Sequence, residues 1–254
     1  MYKKNFINRV ILRLDFAVPF RTTPDFLNKV KTTLTSDLTN IELKIDYIKS
    51  IEANISEPTP TLKIETQGVK GTFNFDTQKE RFIIEPNALI LESSEYTSFK
   101  NFFDKFKIIF RAFDSLTNVE DYNRVGLRFV NIFRDLGIKN IQEWDKFIHK
   151  DYIPNYRNIS FLENNFQVRR NTNDFYWGNG NYLLHLKNGI WNSQFPSIIT
   201  EQEFIVDLDC YLRSIISKEQ ILSKPEEMDH IAYQFFDSII TDELKTILGT
   251  SNER

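Results

Sequence analysis

Three groups of residues in this 254-residue chain have types and spacings that could do chemistry. Asp207-Leu208-Asp209 sets two carboxylates two residues apart, so a strand carries both on one face together with Tyr211. Such a pair can hold Mg²⁺ for phosphoryl transfer or nuclease chemistry. The Gly-Ser signature that nucleotidyltransferases carry upstream is absent, and the plainer expectation is a solvated or ion-paired face, with Phe204, Val206, Leu208 and Cys210 buried behind it. Arg124 and Arg128 stand four apart with Gly126 between them. Guanidinium forks match phosphate or carboxylate oxygens, and a glycine leaves room for a close approach. The alternative partner for Arg128 is Asp207 or Asp209 across the sheet, which would place the two strands close together. The third group is Arg169-Arg170 followed by Phe175-Tyr176-Trp177, inside the turn-rich segment Asn171–Asn181. Its rings can stack on bases, anchor a protein partner or cap a core.

Other patterns carry less. Pro24-Asp25 followed by Glu42-Leu43-Lys44 fits a loose nuclease pattern, but Pro24 opens an expected helix rather than a strand, so the context fails. His149, His185 and His230 stand alone, with no spacing that makes a metal pair or a triad; His185 reads as a strand-face residue. Cys210 is the single cysteine, so no internal disulfide and no cysteine-based zinc site can form, as suits a reducing compartment. No catalytic residue is assigned and no cofactor is expected.

Composition bounds the function classes. With 8 Gly and 8 Pro the chain is a poor source of Gly-rich phosphate loops, and with 41% hydrophobic residues it is not disordered. The balance of 32 basic and 35 acidic residues argues against wholesale nucleic-acid binding and leaves only a local patch. The 23 Phe and 10 Tyr mean that rings fill much of the core. Arg9, Arg13 and Asp15 interrupt any signal-like apolar run, and no stretch approaches the roughly 18 apolar residues of a membrane span. The expectation is a cytoplasmic protein without membrane contact.

The elements that must position these residues follow from periodicity. Arg9–Phe16 alternates as a half-buried strand, Thr23-Pro24 caps a helix carrying Phe26, Leu27, Val30 and Leu34, and Ile41–Ile48 is a second strand. After Pro58-Thr59-Pro60, strands are expected near 62–66, 72–75, 81–85 and 88–92, with turns at 67–71, 76–79 and 85–87. Thr97–Leu116 repeats phenylalanines at three- and four-residue steps, a helix. A strand over 123–133, a short helix near 144–148, strands near 166–170 and 182–187, a hairpin at Asn188-Gly189, a strand over 204–212 and one helix from Glu226 to Leu248 complete the reading. The fold class is α+β, mainly antiparallel sheets in two similar halves, each with a long amphipathic helix packed on it. The chain reads as a single compact unit over 1–254, with halves at 1–136 and 137–254.

Taken together, these pieces resemble a sporadically distributed family of prokaryotic proteins of about this length and unassigned activity. Arg124-Val125-Gly126-Leu127-Arg128-Phe129-Val130-Asn131 is close to that family's Arg-x-Gly-Leu-Arg-aromatic-x-Asn strand, and Asp207-Leu208-Asp209-Cys210-Tyr211 to its Asp-x-Asp-x-Tyr strand. Tyr2 and Ile7 before the first strand, and the last helix with His230, Phe235-Phe236, Ser238, Ile239, Thr241 and Leu244 before Gly249, complete the likeness. Asn5-Phe6-Ile7 stands where the family's opening motif commonly has a proline. The resemblance implies a mobile or conflict-related setting, such as phage defence or a toxin–antitoxin-like module.

The leading expectation is a non-catalytic binding or regulatory protein that acts through a protein partner, and it leans away from an enzyme. The alternatives are nucleic-acid or nucleotide binding through Arg124, Arg128, Arg169, Arg170 and the Phe175–Trp177 rings, and a metal-dependent phosphoryl-transfer enzyme or nuclease built on Asp207 and Asp209. A homo-oligomer remains open.

Overall fold

The structure is a computed structural model that describes residues 5–54, 61–75, 79–154 and 168–249, with backbone alone for 50–54 and 61–67. The Pro58–Pro60 break, most of the turn at 76–79, and residues 166–167 fall outside the described residues. The protein is α+β, built on a large open antiparallel sheet with several helices. The chain divides into two compact units, one of residues 11–125 and 213–224, the other of 1–10, 126–212 and 225–254. The strands Ile7–Phe16 (β1) and Asp121–Phe133 (β6) each supply residues to both units.

In the first unit the strand order is β2-β3-β4-β5-β1-β6, formed by Glu42–Asn54 (β2), Thr61–Asn74 (β3), Glu80–Glu85 (β4) and Ala88–Ser93 (β5) with β1 and β6. Val10, Leu12, Leu14 and Phe16 of β1 are buried, as their alternation requires. The helix Pro24–Leu34 (α1) starts at Thr23, whose hydroxyl oxygen accepts from the Phe26 amide at 3.2 Å. The expected turn at 67–71 is not there, because β3 runs through it. Its two glycines serve other ends: the register against β2 slips at Ile48/Lys49 opposite Gly68, a bulge, and Gly71 lies beneath α1. A Cβ on Gly71 would sit 2.6 Å from Leu27 Cδ2. The helix Phe99–Asp114 (α2) buries Phe99, Phe102, Phe103, Phe106, Ile109, Phe110 and Phe113, and four of these rings stack in series at 5.3, 6.3 and 6.1 Å. Each buried ring stabilises by about 1.5–3 kcal/mol through its apolar area, so α2 anchors this unit. The short strand Ile216–Ser217 (β10) pairs with β6, and the turn of helix Lys218–Ile221 (α3) follows it.

In the second unit the order is β1-β6-β9-β8-β7, with Asn171–Gly178 (β7), Leu183–Trp191 (β8) and Glu203–Leu212 (β9). Three local expectations are corrected here. The turn-rich Asn171–Asn181 segment is mostly strand: its first eight residues form β7, and the turn is confined to 179–182, where Asn179 Oδ1 accepts from the amides of Asn181 and Tyr182. Residues 168–170 precede β7 outside any strand. Asn188-Gly189 is not a hairpin either, since β8 runs through it, pairing Gly189 with Thr172 and Ile205.

The expected single helix over 226–248 is two helices, Lys224–Ile239 (α4) and Asp242–Leu248 (α5). Between them the chain leaves the helix to bond elsewhere: the Ile239 carbonyl accepts from the His149 amide at 2.9 Å, Ile240 bridges Ile148, and the Thr241 amide donates to the Phe147 carbonyl at 3.0 Å. Thr241 then caps α5, as a threonine before Asp242-Glu243 is suited to do. Among the described residues no helix is long and apolar enough to cross a membrane.

Candidate functional site

Antiparallel register puts directly opposed residues on one face, and in the second unit this gathers most of the charged candidates. Asp174 of β7 faces Lys187 of β8, which faces Asp207 of β9. Arg128 of β6 reaches the same carboxylate with two bonds, Nε to Oδ1 at 2.7 Å and Nη2 to Oδ2 at 2.6 Å. The row across the sheet thus reads acid, base, acid, base. The next row is Tyr176, His185 and Asp209. There the Tyr176 ring stacks on His185 at 4.3 Å, and His185 Nε2 lies 2.8 Å from Asp174 Oδ1, tying the two rows.

The opposite face is apolar. It carries Phe175, Leu186 and Leu208 in one row and Trp177, Leu184 and Cys210 in the next. Trp177 stacks on Phe175 at 5.4 Å and meets Phe235 of α4 at 5.0 Å, while buried Trp144 meets Phe204 at 5.3 Å. Phe175, Tyr176 and Trp177 are therefore divided between two faces by the period of two, and do not form one aromatic surface.

Asp207 itself is shielded from solvent. Its side chain is 8% exposed, and both of its oxygens are held by Arg128, whose side chain is 45% exposed. Asp209 shares the face but stands one row away, opposite His185. Among the described residues no cluster of three or more His, Cys, Asp or Glu side chains has the geometry to hold a metal ion. Cys210 lies buried behind this face, and burial pushes its thiol up to about 12, with Asp209 adding to the rise. It stays protonated and unreactive at neutral pH.

The other arginines are also engaged. Arg124, in the first unit, lies 3.9 Å from Asp15, which Arg13 holds at 2.6 Å. Arg169 Nη1 donates to the Pro196 carbonyl at 3.2 Å, and Arg170 Nη2 to the Asn192 carbonyl at 2.9 Å. The Arg170 guanidinium lies over two rings, 3.9 Å from the Trp191 centroid and 4.6 Å from that of Phe195. Both arginines thereby tie down the connection between β8 and β9.

Sequence reasoning passed over the residues that complete this tie. Buried Glu203 accepts from the Ser193 amide at 2.8 Å and hydroxyl at 3.0 Å, with Arg134 3.8 Å away. Asn192 donates to the Ser197 carbonyl at 2.7 Å and accepts from the Gln194 amide at 2.9 Å. A glutamate opening a buried strand, ten residues after a serine, was the one available signal. At the tip of this loop Phe195 is 52% and Ile198 50% exposed. His149, for its part, is exposed beside an open depression of about 560 Å³ that Asp145 and Thr241 also line.

Among the described residues of this unit, one carboxyl is raised by its surroundings. Burial of Asp229 on α4 pushes it up to about 6. The folded state therefore holds a proton that the unfolded chain has lost, and stability falls as the pH rises from about 4 to about 6, then stays at its lower level. Asp229→Asn is expected to remove that slope. Urea denaturation should show the variant more stable than the parent by about 1–2 kcal/mol at pH 7.5 and equal to it at pH 4, the gain discounted because the side chain is not fully buried. A variant no more stable than the parent at pH 7.5 would contradict this.

Comparison of the chain with protein-family models gives no match, and comparison with characterised proteins gives none of significance.

Proposed function

We propose that the chain is a non-catalytic binding protein that acts through a protein partner, and that the partner docks on the loop between β8 and β9. The observation that carries this reading is the pairing of rigidity with apolar exposure in one segment. Residues 192–197 are tied by Arg169, Arg170, Glu203 and the Asn192 side chain, yet Phe195 within them and Ile198 next to them face solvent. An apolar contact held in one geometry beforehand loses little conformational freedom on binding, and this is how a few side chains come to dominate an interface. The setting we attach to this role is the cytoplasm, in the phage-defence or toxin–antitoxin-like module that the family resemblance implies.

Two other readings have less support. Nucleic-acid or nucleotide binding needs cations free to meet phosphates, whereas Arg124 and Arg128 lie against carboxylates and Arg169 and Arg170 bond to carbonyls of their own chain. A metal-dependent enzyme needs Asp207 to give its oxygens to a metal, and Arg128 holds both.

Purification from the native host at low salt, of the parent and of Phe195→Ala/Ile198→Ala in parallel, tests the proposal. One protein is expected to co-purify in stoichiometric amount, to survive about 0.5 M salt as an apolar contact should, and to fall about tenfold or more with the double variant. Nuclease-sensitive material lost at high salt, or a partner retained equally by the variant, overturns it.

A further inference from the structure

β7 is the last strand in the sheet order, so one side of its backbone has no neighbouring strand among the described residues. Chains commonly guard such edges with lysines, a proline, a bulge or a very short strand, because the free amides and carbonyls otherwise recruit another strand. β7 has none of these guards. It is eight residues long, pairs with β8 without a register slip, holds neither lysine nor proline, and carries a single charge at Asp174. Its first four side chains are small and polar and the next three aromatic, and Tyr176 is 67% exposed.

We propose that a second copy of this chain covers this edge, with the two β7 strands pairing antiparallel about a two-fold axis at Phe175. The sequence of the strand selects both the occupant and the register. Opposed residues must share a face, so the axis passes through a residue. An axis at Asp174 sets two carboxylates against each other, a repulsive arrangement. Axes at Asn173 or Tyr176 pair only five residues of each strand, 171–175 or 174–178. An axis at Phe175 pairs seven, 172–178, and every opposed pair is compatible. Phe175 meets its own copy, Asn173 meets Trp177, Thr172 meets Gly178, and Asp174 meets Tyr176.

The last of these pairs is the most telling. Asp174 gives Oδ1 to His185 at 2.8 Å and is 47% exposed, so Oδ2 is available to accept from the Tyr176 hydroxyl of the other copy. Tyr176, stacked on His185, is already held over the same face. The two-fold repeats this bond on both sides of the axis. A strand whose own residues complement each other in this way fits a copy of itself better than an unrelated peptide.

Sedimentation equilibrium of the full chain, from about 1 to about 100 μM, reads the outcome as a shift from 30.1 kDa toward twice that mass. Tyr176→Asp sets acid against Asp174 on both sides of the axis and is expected to weaken association about tenfold or more. Tyr176→Lys, opposite the same carboxylate, is expected to keep the dimer, and Tyr176→Asp/Asp174→Asn to restore it. All three changes lie on exposed side chains, and circular dichroism verifies that each variant is folded. A parent that stays monomeric to about 100 μM, a dimer indifferent to Tyr176→Asp, or equal losses from the Asp and Lys variants overturns the proposal. Docking at the β8–β9 loop is read separately through Phe195 and Ile198, so either proposal can fail alone.

Discussion

Gly189→Ala is expected to lower the stability of the second unit by about 3–5 kcal/mol, near the upper end for a single substitution. Two costs coincide at this position. Gly189 has φ +144°, a backbone state that side chains rarely adopt and that costs of order 1–3 kcal/mol when forced. A Cβ there would also meet the Asn171 carbonyl oxygen at 2.2 Å, with Pro154 Cγ at 2.8 Å and Thr172 Cα at 2.9 Å. The first and last of these atoms are backbone, so no rotamer change relieves them. The start of β7 must move away from β8, and the pairs Asn171–Ile190 and Thr172–Gly189 open. Gly137 is the control: its φ is +72°, but nothing lies within 4 Å of where its Cβ would be, so Gly137→Ala should cost only about 1 kcal/mol of backbone strain. Urea denaturation of both variants measures the difference. A Gly189→Ala protein within about 1 kcal/mol of its parent would mean that β7 does not pair with β8 in this register.

The same glycine shows where the sequence misleads. Asn-Gly between apolar runs is a strong local turn signal, because both residues tolerate positive φ. It cannot distinguish a chain that reverses from one that needs room for a neighbouring strand, and at Gly189 the second applies. Gly71 repeats the point, since the space left by its missing side chain is filled by Leu27. Elements set by their own periodicity were legible: β1 alternates, α2 repeats its phenylalanines, and Thr23 caps α1, all from neighbours within a few positions. The break between α4 and α5 was not, because it is made by Phe147 and His149, about ninety residues earlier in the chain. Of the candidate site, the pairing of Arg128 with Asp207 was open to reasoning from charge and strand spacing alone. The tie of Arg169 and Arg170 to the β8–β9 loop was not, since their acceptors are backbone carbonyls, which every residue carries.

Removing either partner of the Arg128–Asp207 pair is expected to destabilise the protein, but by unequal amounts. Arg128→Met leaves a carboxylate that is 8% exposed without its two donors, and water reaches it poorly. An uncompensated buried charge costs several kcal/mol, so a loss of about 2–4 kcal/mol is expected. Asp207→Asn leaves a guanidinium that is 45% exposed and can turn to solvent, while the amide oxygen still accepts one bond; the expected loss is about 1 kcal/mol. If the pair is purely structural, Arg128→Met/Asp207→Leu should recover most of the loss, because leucine removes the buried carboxylate that Arg128→Met leaves without its donors. Urea denaturation of the three variants at pH 7.5 gives the ranking. The same variants bear on function. A structural pair leaves partner capture by the Phe195 loop unchanged in every variant that remains folded. Were Asp207 instead a metal ligand, Asp207→Asn would abolish a Mg²⁺- or Mn²⁺-dependent turnover while barely altering stability, and Arg128→Met would strengthen metal binding by freeing the carboxylate. The two accounts thus predict opposite consequences of losing Arg128: damage to the fold in one, a better cation site in the other.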